Sequence, residues 1–112
     1  MLVLTGCASG ASSIEYSDER DILGNPYPVD CLDLSDVHPR IEYLPEASLK
    51  IVCELPKPDE FVYGCWNVDF GNRDGVVAIA SELTPVQQLG TLRHEFCHSK
   101  MQKTHGSPLW HH

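Results

Sequence analysis

The stretch His94-Glu95-Phe96-Cys97-His98 places two imidazoles four residues apart, with a carboxylate directly after the first. On a helix, four residues amount to one turn and about 40° of azimuth, so both rings can reach one point. Neutral imidazole nitrogen suits a zinc ion at roughly 2.0–2.1 Å. Glu95 would then project beside the ion, where it can take a proton from a water that the ion acidifies to a pKa of about 7. This division of labour gives the H-E-x-x-H pattern its hydrolytic meaning. The competing reading is a polar helix face in water.

A hydrolytic zinc needs a third protein ligand and an open position. No acidic residue follows His98, which excludes a downstream carboxylate and leaves His105, His111 and His112. The last two stand at a terminus expected to fray, so His105 is the expected third ligand. On a continuous helix it would lie about 10 Å beyond His98. The helix is therefore expected to stop before His105, and the chain to fold back.

The elements that would position these groups are legible in part. Thr84-Pro85-Val86-Gln87 supplies an N-cap hydroxyl, a proline at the first helical position and a glutamine three residues after the cap. Val86, Leu89 and Phe96 offer an apolar stripe to lay on a sheet. Upstream, Leu49, Ile51, Cys53 and Leu55 alternate with polar or smaller residues, the period of a half-buried strand. "EFVYGCWNVDF" (60–70) is rich in β-branched and aromatic residues, "GNRDG" is a turn by composition, and "VVAIA" (76–80) returns as a strand. The expected fold is α+β: a small antiparallel sheet with a 61–70/76–80 hairpin, packed on one active-site helix. Strand 76–80 is expected to offer an edge to an extended substrate. Tyr63 is either a hydrogen-bond donor to a reaction intermediate or a packing residue. Trp66 reads as core or rim, Arg93 as facing an acid or water, and His38 as a loop histidine.

Residues 8–30 lack apolar periodicity, and residues 1–30 read as a tether and the loop leading into a domain spanning 31–112. Within the tether, "LVLTGC" resembles the lipobox of a bacterial lipoprotein, with Cys7 as the acylated residue. The apolar part, Met1 to Leu4, is too short for a signal h-region, so this reading requires a start further upstream. The alternative is an arbitrary apolar start. Ala8 after the cysteine, by analogy with enteric lipoproteins, favours the outer membrane, with attachment through Cys7. Four further cysteines, Cys31, Cys53, Cys65 and Cys97, permit three pairings, among which spacing does not choose. Two cross-links would suit a small domain outside the cytoplasm; buried free thiols are the other reading.

Sixteen acidic against eight basic side chains give a net charge of −8, which repels phosphate backbones and argues against a nucleic-acid partner. No apolar run approaches the roughly 18 residues of a membrane span.

Together these residues resemble a zincin-type metallopeptidase. "HEFCHSKMQKTH" is similar to the metzincin pattern H-E-x-x-H-x-x-G-x-x-H. It has six residues instead of five between His98 and His105, Met101 at the glycine position, and no later methionine for a Met-turn. The closer resemblance is to small bacterial and phage zincin-like lipoproteins, with a "GC" strand, a "VVAI"-like strand and H-E-x-x-H near the C-terminus; it covers about residues 49–106. It implies a minimal zincin-like domain that binds Zn²⁺ and hydrolyses a peptide or protein substrate in the bacterial envelope, facing the periplasm. It also implies a Cys53–Cys65 bridge and, with it, Cys31 joined to Cys97. Two alternatives stand beside that function: a non-catalytic zinc-binding envelope protein, structural or partner-binding, and a disulfide-stabilised interaction module without metal.

Overall fold

The computed structural model describes residues 14–54 and 61–110. Cys7, Leu55, His111 and His112 lie outside the described residues, and with them the lipobox reading. The chain is α+β. Strands β1 (Tyr16–Arg20) and β2 (Pro26–Pro28) form a two-stranded antiparallel sheet, and a 3₁₀ turn follows at Val29–Leu32. A second sheet takes β3 (Arg40–Leu44), β4 (Gly64–Asp69) and β5 (Asn72–Ala80) in the order β3-β5-β4. Helices α1 (Glu46–Val52) and α2 (Pro85–His105) complete it.

Strand β5 is the centre of the larger sheet. It pairs antiparallel with β4, as the hairpin composition predicts, and parallel with β3 along Arg40↔Val76 to Leu44↔Ala80. The expected antiparallel meander is thus a mixed sheet. Both edges of residues 76–79 are taken, so the edge expected there for a substrate does not exist; the sheet's edges are β3 and β4. Val77, Ala78, Ile79 and Ala80 are all buried. Such a continuous apolar run belongs to a strand covered on both faces. Ala78 and Ala80 pack with Leu49 of α1, Val62 and Leu83, while α2 packs against β5 and β4.

The alternation read as a strand at 49–55 is α1, as far as residue 52. Pro45 precedes a helix-favouring run, and Glu46 meets Lys50 one turn on at 3.3 Å. Only Leu49 of this helix is buried. An alternation this short does not separate a strand from a helix with one inward residue. Residues 16–28, within the stretch read as tether and entry loop, carry β1 and β2, and Tyr27 belongs to a core cluster with Cys31, Cys97, Met101 and Trp110.

Helix α2 starts where its signals place it. Thr84 Oγ1 accepts from the Gln87 amide and Gln87 Oε1 accepts from the Thr84 amide, the reciprocal capping box. Its inward face is not the expected stripe. Val86 and Leu89 are 80% and 71% exposed, and the buried positions are Thr91, His94, Glu95, Cys97, Ser99 and Met101. These cover more than half of the helix circumference, because α2 lies between the sheet on one side and the Tyr27–Trp110 cluster on the other. Polar residues tolerate that burial where they are bonded: Ser99 Oγ donates to the Asp74 carbonyl at 2.6 Å.

Gly64 sets how closely α2 approaches the sheet. A Cβ there would stand 2.7 Å from the Ala78 carbonyl oxygen and 3.0 Å from Thr91 Cγ2. Two disulfides clamp the layers, Cys53–Cys65 beside the α1 cluster and Cys31–Cys97 within the Tyr27–Trp110 cluster. These are the pairs that the resemblance implies.

Candidate metal centre

His94 and His98 point the same way from α2, and their Nε2 atoms come within 3.2 Å of each other. Two ligands at about 2.0–2.1 Å in tetrahedral geometry stand about 3.3 Å apart. The pair therefore has the spacing that a zinc ion requires.

What holds each ring is equally informative. His94 Nδ1 meets Asp21 Oδ2 at 2.8 Å, and His98 Nδ1 meets the Pro108 carbonyl oxygen at 2.7 Å. A carbonyl oxygen only accepts, so His98 Nδ1 carries its proton. Asp21 does the same for His94. Burial alone would raise its carboxyl pKa. The Asn25 amide, the His94 imidazole and the Leu23 amide more than offset that, holding Asp21 below the usual carboxylate range and ionised. With both Nδ1 atoms donating, each Nε2 of a neutral ring presents a lone pair toward the other. That tautomer pair, fixed by a carboxylate and a carbonyl behind it, is the arrangement that prepares histidines to ligate a metal.

Glu95 completes the cluster. Its carboxylate oxygens lie 3.9 Å from His94 Nε2 and 4.0 Å from His98 Nε2. Among the described residues these three form the group able to hold a metal ion. The separations exceed the roughly 3.3 Å expected between two atoms on one zinc, so Glu95 stands beside the coordination position and not on it. Burial pushes its carboxyl up to about 8. In the metal-free protein burial thus favours the protonated carboxyl at neutral pH, whereas a cation held beside it would favour the ionised form that accepts a proton.

Trp110 closes one side. Its indole lies 5.1 Å from the His94 ring and 5.5 Å from the His98 ring, and it stacks on Tyr27 at 5.4 Å. The two imidazole side chains keep 8% and 15% of their surface. On the other side a cavity of about 230 Å³ opens onto His94 and Glu95.

His105 is not part of this group. Helix α2 runs unbroken to it and ends at Gly106, which adopts φ 76° and donates to the Gln102 carbonyl. His105 Nε2 pairs with Asp30 at 2.7 Å near the surface. The expectation of an earlier helix end is overturned because nothing in Ser99–Thr104 breaks a helix, whereas Gly106 supplies the left-handed cap. The chain does fold back after that, but it delivers the Pro108 carbonyl and the Trp110 indole in place of an imidazole. Asp21, Pro108 and Trp110 were not foreseen. Only a local signal existed for Asp21, whose side chain caps a Gly24-Asn25 turn through the Leu23 and Asn25 amides. Among the other residues singled out, Arg93 bonds Glu19 at 2.7 Å and lies over the Tyr27 ring, and His38 is an exposed loop residue.

Comparison with family models, characterised proteins and solved structures finds no match to this chain.

Proposed function

We propose that the protein is a zinc-dependent peptidase in which His94 and His98 supply two of the three protein ligands, His111 or His112 (outside the described residues) supplies the third, and Glu95 moves the proton. The observation that carries this reading is the convergence of two Nε2 atoms whose opposite nitrogens are bonded to Asp21 and Pro108. A bound zinc ion would supply Lewis acidity to a water and to the carbonyl of the bond to be cleaved. Asp21 keeps the His94 ring in its ligating tautomer, and the Pro108 carbonyl does so for His98. Glu95 takes the proton that the attacking water gives up and returns it to the departing amine. Strand β4, an edge of the sheet whose first residue lines the cavity, offers backbone to an extended peptide. Two disulfides support an oxidising compartment such as the bacterial envelope.

A second reading rests on Trp110. An indole packed at a tilt against both imidazoles suits a metal that stabilises the fold without turnover. Glu95→Gln separates the two. Metal analysis should find about one zinc per chain in wild type and in Glu95→Gln, and none in His94→Ala/His98→Ala. Mass spectrometry of a mixed peptide digest should show cleavage by wild type alone. Zinc retained by the double-alanine variant refutes both readings. Glu95→Gln cleaving as fast as wild type refutes the peptidase.

A further inference from the structure

A second cavity, of about 420 Å³, opens between the end of β1, β2 and the first turns of α2. It shares Ile22 and Tyr63 with the cavity beside Glu95, but neither His94 nor Glu95 lines it. Its volume falls within the roughly 300–1,000 Å³ of sites that enclose small molecules. The chain carries 8 basic side chains and a net charge of −8, yet Arg20 and Arg93 both line this one opening.

The donors in the lining are largely uncommitted. Each guanidinium carries five N–H groups. Among the described residues Arg20 hydrogen-bonds only the Gly24 carbonyl, at 3.3 Å, and Arg93 only Glu19, at 2.7 Å. Gln87 spends its side-chain oxygen on the helix cap, and its amide nitrogen bonds no described residue. Tyr27 is the clearest case. Trp110 stacks on its ring, the Arg93 guanidinium lies 4.2 Å from the ring centre, and the residue is 1% exposed. Its hydroxyl nevertheless bonds no described residue. Burial pushes that phenol up to about 12, so it is a donor at neutral pH. A buried donor costs free energy until an acceptor reaches it.

The acceptor that suits this lining is a carboxylate, whose planar pair of oxygens matches a guanidinium fork. Asp21, the one acid in the lining, does not fill the role, because its oxygens are taken by the Leu23 and Asn25 amides and by His94. Asp21 and Glu19, which pairs with Arg93, also limit the charge that can be added. One negative charge meets two guanidiniums, whereas a phosphate dianion would be repelled twice as strongly by those carboxylates. Ile22 and Val86, 41% and 80% exposed, offer apolar surface to the body of a ligand. We infer that this cavity binds a singly charged carboxylic acid with an apolar body, its carboxylate held by Arg20, Arg93, Gln87 and the Tyr27 hydroxyl. Such a group comes from a free acid or from a polypeptide C-terminus ending in an apolar residue. The inference goes beyond the zinc-peptidase reading and stands whether or not a metal is bound.

Its test is an NMR titration read at the Nε–H signals of Arg20 and Arg93. The probes are 4-methylpentanoate, 4-methylpentanamide, inorganic phosphate and N-acetyl-alanyl-leucine. 4-Methylpentanoate should shift both signals and bind at least about tenfold more tightly than the amide or phosphate, as the loss of charge-assisted bonds predicts. Saturating acetohydroxamate, which engages a metal, should leave that affinity unchanged. Tyr27→Phe keeps the stacked ring and Arg20→Gln alters an exposed side chain, and each should weaken binding several-fold. N-acetyl-alanyl-leucine binding more tightly than 4-methylpentanoate identifies a chain terminus as the source, and equal or weaker binding identifies a free acid. Unshifted arginine signals, amide or phosphate binding as tightly as the acid, or an affinity that neither variant changes overturns the site. So does competition by acetohydroxamate, which would put the acid on the metal.

Discussion

Asp21 and His94 stand 73 residues apart in the chain and 2.8 Å apart in the fold. The carboxylate spends one oxygen on the turn amides of Leu23 and Asn25 and the other on the imidazole. A segment without apolar periodicity therefore sets the tautomer of an imidazole on the best-marked helix in the sequence. Asp21→Asn should lower zinc affinity about 10- to 100-fold, as loss of an orienting partner does elsewhere, with folding retained. Competition against a chromogenic chelator measures it, and an unchanged affinity would show that the bond orients nothing.

The position of His105 yields a contrast between histidines. His94→Ala and His98→Ala should each abolish stoichiometric zinc. His105→Ala should leave it unchanged and cost at most about 1 kcal/mol, because only a surface pair with Asp30 is lost. Zinc lost from the His105 variant would reinstate it as a ligand.

Glu95 gives a pH signature to the metal-free protein. Burial raises its pKa in the folded state to about 8, against an ordinary 4.5. The folded protein holds this proton where the unfolded chain has released it, so the folded state binds more protons across that window. Stability should therefore be greatest below about pH 4.5 as far as this group is concerned, and decline as pH rises through about 8. The imidazoles of His94 and His98 face this carboxyl at 3.9 and 4.0 Å. Urea unfolding with chelator at pH 5, 6.5 and 8 should show a steeper decline for wild type than for Glu95→Gln, by an amount on the order of a few kcal/mol. Equal slopes would mean that Glu95 is ionised in the folded state.

The disulfides should separate by function. Cys31–Cys97 spans 66 residues and Cys53–Cys65 spans 12. Loop-closure entropy puts the first near 4 kcal/mol and the second near 3, both as rough values. Cys97 also lies between His94 and His98 on α2, whereas Cys53 and Cys65 join α1 to β4. Replacing Cys31 and Cys97 by serine should weaken zinc binding as well as lower the denaturation midpoint. Replacing Cys53 and Cys65 should lower the midpoint alone. Equal weakening of zinc binding by both pairs would remove the special role of Cys97.

The readable parts of this molecule are those whose causes are local. The α2 start follows from Thr84, Pro85 and Gln87 within four positions, and the His94–Glu95–His98 spacing follows from helical geometry once that start is known. The β4–β5 hairpin follows from two β-rich segments around a glycine-flanked turn. Failure comes where side-chain type and burial part company. Val86 and Leu89 look like core and face solvent, while Thr91, Glu95 and Ser99 look like surface and are buried. The buried face of α2 is chosen by what packs around it, and the hydrophobicity of the helix itself does not report that. Asp21, Pro108 and Trp110 enter through contacts spanning a turn or nearly the whole chain, for which composition and periodicity carry no signal.

Tyr16 Oη donates to the Trp110 carbonyl at 2.8 Å, so the first strand and the last described residue meet behind the imidazole pair. This closure imposes an order on biosynthesis. As the polypeptide leaves the ribosome, Asp21 emerges first, α2 follows, and Pro108 and Trp110 come last. A nascent chain that already displays both histidines still lacks the carbonyl behind His98, the indole over the rings and the anchor for Tyr16. The imidazole pair is therefore supported on both sides only once residue 110 has come to rest against residue 16.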